Sequence, residues 1–488
     1  MKRGILIKDI AVLVCLAMAL AGCGGKPAAG EKTEAASHAD TAQTDLSEEN
    51  KEEDLEQEKD KADVQEEYSN SKKADTVVKL STDTTIEETV LFEDDNVRIT
   101  AVSLEFKYNS PHLKLKFENN GDKALSFVAG SLGYSCNSIN GYMVDGLYVN
   151  AVVEPGKTAV EDTYIDADLL TLYGIEKIAE IGIGFDISDD DYNDYAKTGP
   201  IYIRTSDAEG YDASADTYLN AIQSKSNKSV YGYDISLLTQ DDFLEQEEMK
   251  GISACLLTNK DGKRSLALEV ENTSDEDLVL LSDHIYINGV VLVSSAWSAD
   301  SVNSGKKKVI HIPYDDIARH AGGNLEELGF TDIGSIGMTL NCSDVDNNDI
   351  FSKEAAFELS KASSTFNFGG EDIYSDNDIR IIGGKILKDE YDYAHIVFLV
   401  ENNSSKEIVL DEEYDSLSIN GIMANGTAYS LTLGPEEKGL MDVQMSKYDL
   451  QNIDISDPDE IKEAEVKIEI RDTNYNNIDT ALVKLEVK

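Results

Sequence analysis

The sequence predicts an all-β protein: three tandem antiparallel β-sandwich domains carried behind a disordered acidic tether. Three observations carry that prediction. Four landmarks recur in the same order three times between residues 86 and 488, the signature of a repeat architecture. Apolar and polar residues alternate along runs such as Leu113-Lys114-Leu115-Lys116-Phe117, which is the period of a half-buried strand. Each copy also carries an Asn-Gly pair at a matching place, Asn140-Gly141, Asn288-Gly289 and Asn420-Gly421. That dipeptide supplies the positive φ angles of a type I′ hairpin turn.

The chain opens with Lys2, Arg3 and Lys8 around a short apolar run, Ile10 to Leu20. Such a run is too short to span a bilayer as a helix, which takes roughly 20 residues. It reads as a cleavable secretory signal over residues 1–22. Its end, Leu20-Ala21-Gly22-Cys23, resembles the lipobox of bacterial lipoproteins at all four positions. The resemblance implies diacylglyceryl transfer to the Cys23 sulfur and cleavage between Gly22 and Cys23. It also implies a lipid-anchored place on the extracellular face of the cell membrane. Two acyl chains hold a protein stably, at about 0.8 kcal/mol per buried methylene, where one chain binds only marginally.

Residues 23–85 are rich in Glu, Asp, Lys, Ala, Ser and Thr, as in Glu48-Glu49-Asn50-Lys51-Glu52-Glu53-Asp54. So few apolar residues cannot offset the entropy of ordering, and the segment reads as a self-repelling, extended spacer. A polar helix over 45–67 is the alternative. The Cys23-Gly24-Gly25 start and the acidic tether resemble lipoproteins of Gram-positive bacteria.

The repeats are expected at 86–205, 228–362 and 363–488, with a polar linker at 206–227. The first landmark is a strand pair around an acidic turn, Val90 to Ile99, Phe243 to Ile252 and Ile373 to Ile381. The second is a strand ending in an acid and an amide: Glu118-Asn119, Glu271-Asn272 and Glu401-Asn402. The third is the Asn-Gly turn. The fourth is a loop before a further strand: Pro155-Gly156-Lys157, Ser304-Gly305-Lys306 and Pro435-Glu436-Glu437-Lys438. One short helical turn is expected per copy, at Asp166 to Leu172, Asp315 to His320 and Lys447 to Gln451. Each copy closes with a hairpin whose tip is acidic. Short strands with turn signals in each copy point to a sandwich. The set resembles the immunoglobulin-like modules of bacterial surface lipoproteins, without the Cys…Trp…Cys pattern of antibody domains. The join near Ala362-Ser363-Ser364 is short, which predicts a closer fit between the last two repeats.

Composition bounds the chemistry. Across 488 residues the hydrophobic share is 41% and the formal net charge is −51. Nucleic acid is excluded as a partner, because binding it takes clustered Lys and Arg. Cys136, Cys255 and Cys342 are scattered, with no C-x-x-C pair. That rules out a disulfide framework or a zinc site, and leaves one bridge, Cys255 to Cys342, to weigh against free buried thiols. No H-E-x-x-H, G-x-S-x-G or G-x-x-x-x-G-K-[ST] motif is present. The hairpin tips hold the best cation candidates: Asp189, Asp190, Asp191 and Asp194 in the first copy, Asp344 and Asp346 in the second. Clustered carboxylates suit Ca²⁺, which takes six to eight oxygen ligands. Turn chemistry is the simpler account, since Asp and Asn bond their own backbone. No other cofactor is implied. Tyr148, Trp297 and Tyr429, at matching distances past each Asn-Gly turn, are expected to pack in the sandwich.

The function expected from these features is a non-catalytic binding or display module at the cell surface, with a protein or glycan partner. A structural spacer without a ligand and an accessory factor or enzyme of wall metabolism are the rival readings.

Overall fold

The computed structural model describes residues 79–108, 110–130, 136–212, 215–239, 243–359, 366–389 and 391–486. The expected signal and lipobox, with Gly22 and Cys23, and nearly all of the expected tether lie outside the described residues. The described chain is all-β, and three repeats of one sandwich plan account for it.

The landmark asparagine explains how each copy is tied together. Asn119, Asn272 and Asn402 are fully buried at the ends of strands Ser110–Asn119, Arg264–Asn272 and Ala394–Asn402. Each side-chain amide donates to a carbonyl of the loop that follows it and to one at the end of a later strand. The acceptors are Lys123 and Val153, both at 2.8 Å, then Glu276 and Val302 at 2.8 and 2.7 Å, then Lys406 and Leu433 at 2.7 and 3.1 Å, with Gly434 as a further acceptor at 2.8 Å in the third copy. A buried amide must find partners, and here its partners tie the strand end to a loop and to the end of another strand.

The Asn-Gly turns form as expected, with φ of 50° and 83° at Asn140 and Gly141 and near-identical values in the other copies. The asparagine does more than tolerate the left-handed region. Its Nδ2 donates to Lys177, Asp332 or Glu460 carbonyl oxygen, and its Oδ1 accepts the N–H of Ala179, Gly334 or Lys462. Each turn is thereby pinned to the loop before the closing hairpin.

Inside each sandwich the alternating strand faces a second sheet. In the first repeat Leu113, Leu115 and Phe117 are fully buried, and the Phe117 ring meets Phe127 at 5.0 Å and Phe185 at 5.7 Å. The three helical turns appear at Ala167–Leu172, Tyr314–His320 and Lys447–Asn452, the last closed by a capping box between Ser446 and Asp449.

The expected linker at 206–227 is a correction. It carries the short helix Tyr218–Ile222 and the start of Lys225–Tyr231, and Tyr218 is 1% exposed. Tyr218, Leu219 and Ile222 pack into the first repeat's core. The segment looked polar because its three apolar anchors are spaced among Ser, Asp and Lys residues. The thiols are also placed: Cys136, Cys255 and Cys342 are buried, and Cys255 and Cys342 are not bonded to each other. The Cys255–Cys342 bridge does not form, because the two cysteines sit on strands of different sheets.

The repeats are not separate beads. Residues 76–488 form one compact unit. Ser138–Ile139, Tyr142–Met143, Glu180–Ile183 and Ile201–Arg204 of the first repeat run on into a sheet of the second as one eight-stranded sheet, while Leu125–Ala129, Val149–Val153, Asp186–Asp189 and Asp194–Lys197 form a sheet of their own; the second and third repeats share a ten-stranded sheet.

Candidate functional site: the seams between repeats

Both seams are built by the same two elements. The first is the short strand that returns from the Asn-Gly turn. The second is the strand that follows the fourth landmark in the next repeat. At the first seam Tyr142–Met143 runs parallel to Lys307–Pro313, with Tyr142 opposite Lys307. At the second, Val290–Val293 runs parallel to Lys438–Met445, with Val290 opposite Lys438 and Val291 opposite Gly439. The Lys307 N–H donates to the Gly141 carbonyl at 2.8 Å. Side chains of the following repeat complete the preceding core: Ala267 and Val309 in the first, Val397, Leu399 and Leu440 in the second.

The first seam holds a buried acid. Glu269 is 0% exposed. The Tyr142 hydroxyl donates to its Oε1 at 3.0 Å and the Ser253 hydroxyl to its Oε2 at 2.8 Å. Burial pushes the carboxyl up to about 7, and Asp216 adds to the effect; the two hydroxyls and Lys307 oppose it. Around the rim Lys306 pairs with Glu180 at 3.4 Å, and Lys308 pairs with Asp300 at 3.1 Å and Asp145 at 3.6 Å.

The second seam holds a histidine cluster. His395 Nδ1 lies 2.7 Å from Asp442 Oδ2, and its Nε2 lies 3.8 Å from Asp389. Burial works against an imidazolium here, yet Asp442 and Asp389 hold the His395 pKa above its ordinary value. Nearby, the His320 ring is 4.6 Å from Tyr429 and 5.6 Å from Trp297. Burial and the His395 charge push His320 down. Ser294, His320, Tyr429 and Asp442 help line a cavity of about 20 Å³, room for roughly one water. Asp442 Oδ1, buried without a hydrogen-bond partner in the protein, is the atom such a water would satisfy. The cluster can hold a proton and a water.

The sequence-predicted site residues fall elsewhere. At the first hairpin tip, Lys123 donates to Asp189 at 2.7 Å, and the Asp191 and Asn193 N–H groups donate to its other oxygen at 3.0 and 2.9 Å. Lys123 chiefly, with these amides, holds Asp189 well below the usual carboxylate range. Asp344 makes the same loop with Asp346 and Asn348, and Asp472 with Asn474 and Asn476. Tyr192, Asn347 and Tyr475 occupy the same positive-φ position, each at 62°. Turn chemistry accounts for all three tips. Asp189, Asp190 and Asp191 can each bring one carboxylate oxygen within 4.8 Å of the others, with Asp190 and Asp191 exposed. Asp194 reaches Lys197 at 4.0 Å.

The aromatic expectation is corrected in part. Tyr148 is 62% and Tyr429 50% exposed, whereas Trp297 packs half-buried against the second repeat's core as expected and, with Tyr429, flanks His320. Sequence reasoning missed the seams themselves, although a signal was present. Arg264–Asn272 contains Leu266-Ala267-Leu268-Glu269-Val270, and Ala394–Asn402 contains Ile396-Val397-Phe398-Leu399-Val400. Near-continuous apolar runs mark strands covered on both faces. Only the first copy alternates cleanly.

Among the described residues, no helix is long and apolar enough to cross a membrane. No family model and no curated protein matches the chain. Solved structures similar to parts of it include one described as "structural insight into host cell surface retention of a 1.5-MDa bacterial ice-binding adhesin". It is 11% identical, spans 77% of this chain and 90% of that one, and has a TM-score of 0.13. The YadV chaperone is 10% identical over 52% of this chain and 99% of its own, with a TM-score of 0.16. The exo-chitosanase CsxA of Amycolatopsis orientalis is 8% identical over 83% and 79%, with a TM-score of 0.17. Likenesses of this size carry no argument about activity or partners.

Proposed function

We propose that the chain is a lipid-anchored protein of the outer cell surface that binds or displays rather than catalyses, with a protein or glycan as its partner. The supporting observation is the construction of the seams. Shared sheets and shared cores join three sandwiches end to end, and the buried ionisable groups of the seams serve that joining. Acylation of Cys23 would place this array at the membrane through the acidic tether. Glu269 accepts from Tyr142 and Ser253 at the first seam, and His395 faces Asp442 beside a water-sized space at the second, an arrangement suited to holding repeats in register.

Two measurements test the proposal. Palmitate labelling in a bacterial host is expected for the wild type and absent in Cys23→Ala; equal labelling of both refutes the anchor. Binding of the purified chain to wall glycans or extracellular matrix proteins is expected to saturate and to leave the bound partner chemically unchanged. Turnover of a wall glycan by the chain would replace the binding role with catalysis.

A further inference from the structure

The two seams leave a matching pair of unused surfaces at the ends of the array. The return strand of the third repeat, Ile422–Met423, is the counterpart of Tyr142–Met143 and Val290–Val293. Where the next repeat covers it, this strand is buried: Tyr142 and Met143 are 2% exposed, Val290 0% and Val291 2%. Ile422 is 50% and Met423 61% exposed. At the other end, Lys157–Tyr164 of the first repeat is the counterpart of Lys307–Pro313 and Lys438–Met445. Val309 and Leu440 are 3% exposed there, but Val160 is 57% exposed.

The backbone tells the same story. Ile422–Met423 is the last strand at one edge of its sheet, and Lys157–Tyr164 is the last strand at one edge of its own. Inside the chain these two strand types pair with each other at both seams. An unpaired strand edge is a template for another chain. Here the template and its complement are both carried by one molecule.

We infer that the chain associates head to tail with a second copy of itself, Ile422–Met423 of one copy pairing in parallel with Lys157–Tyr164 of the next. The partner's chemistry is set by the internal seam that it repeats. Hydrogen bonding places Glu463 at the position of Glu180, since the Asn420 and Asn140 N–H groups donate to their respective carbonyls. It places Lys157 at the position of Lys306, since each follows the glycine whose N–H donates to the landmark asparagine. The Lys306–Glu180 pair of the first seam therefore has its two halves waiting at opposite ends of the chain. The receiving face is more polar than its internal counterparts. Lys114 and Lys116 stand where the second repeat has Ala267 and Glu269 and the third has Val397 and Leu399. Those lysines meet a donor end whose hairpin is flanked by Glu463 and Glu465, already bridged by Lys484. Lys116 is already paired with Glu118 at 3.1 Å and Asp162 stands opposite Lys114, so the receiving face carries both signs of charge, and the polar contact makes the association weaker than the internal seams. Such an interface is heterologous, and copies add without closing.

Sedimentation equilibrium of the full chain carrying Cys23→Ala tests the inference. The average mass is expected to rise with concentration past about twice the single-chain value. Ile422→Glu removes the donor and Val160→Glu the receiver; both positions are solvent-exposed in the single chain, and circular dichroism checks that the fold is kept. Each variant alone is expected to sediment as a single chain. An equimolar mixture is expected to stop at two chains, because each variant retains the half that the other lacks. A wild type that stays a single chain at every concentration overturns the inference. So do variants that associate as the wild type does, or a mixture no heavier than its parts.

Discussion

Replacing Glu269 by Gln should change how stability responds to pH, and the size of the change follows from the seam. Glu269 is fully buried beneath Tyr142, and its carboxyl is pushed up to about 7 from an ordinary value of 4.5. A carboxyl with a raised folded pKa binds its proton more tightly folded than unfolded. Its contribution is therefore fully present below pH 4.5 and is lost as pH rises through about 7. At 1.36 kcal/mol per pH unit, a shift of this size amounts to about 3 kcal/mol. Glutamine carries no charge, keeps an oxygen to accept from Tyr142, and offers its amide to a Ser253 hydroxyl rotated to accept. Urea unfolding of wild type and Glu269→Gln at pH 5 and pH 8 isolates the effect, since other titrating groups cancel in the difference. The variant should match the wild type closely at pH 5 and exceed it by about 3 kcal/mol at pH 8, with unchanged denaturant slope. An equal difference at both pH values would show that Glu269 does not change its charge in this window.

Three further expectations follow from other parts of the fold. Asn272→Ala strands the Glu276 and Val302 carbonyls that its amide now serves, and should lower stability by about 2–3 kcal/mol in chemical unfolding. His395, held above its ordinary pKa of 6.5 despite burial, should titrate by NMR with a midpoint above that value, and its share of stability should fade as pH climbs through the midpoint. Millimolar Ca²⁺ should leave the melting temperature unchanged if Asp189, Asp344 and Asp472 serve their own turns; a rise of several degrees that Asp190→Asn and Asp191→Asn abolish would make the first tip a cation site.

The sandwich plan was legible because it is written locally. Alternation in Leu113 to Phe117, the Asn-Gly turns and the landmark asparagines each report on a contact within a few strands. The seams were not legible in the same way, because they join residues such as Tyr142 and Lys307 that only the repeat geometry brings together. Their trace was indirect: Ala267 and Val397 stand where the first copy has Lys114, and these substitutions mark a covered second face. The acidic tips were two-sided in the sequence for a related reason. A carboxylate that accepts backbone N–H groups and one that binds a cation look alike in composition; the structure adds the donors on Asp189 that the turn reading expects, and the Ca²⁺ melting experiment tests the other reading. The polar stretch at 206–227 hid Tyr218 among Ser and Asp residues, although that ring, 5.7 Å from Tyr173, packs into the first repeat's core with Leu219 and Ile222.

The repeats form one continuous body through paired strands at each seam. Native-state hydrogen exchange at the Lys307 amide, which donates to the Gly141 carbonyl across the first seam, tests this directly. Protection comparable with the core amides of Arg264–Asn272 beside it is expected. Exchange as fast as in the exposed loop at Gly262 would contradict it and return the protein to three independent sandwiches on a string.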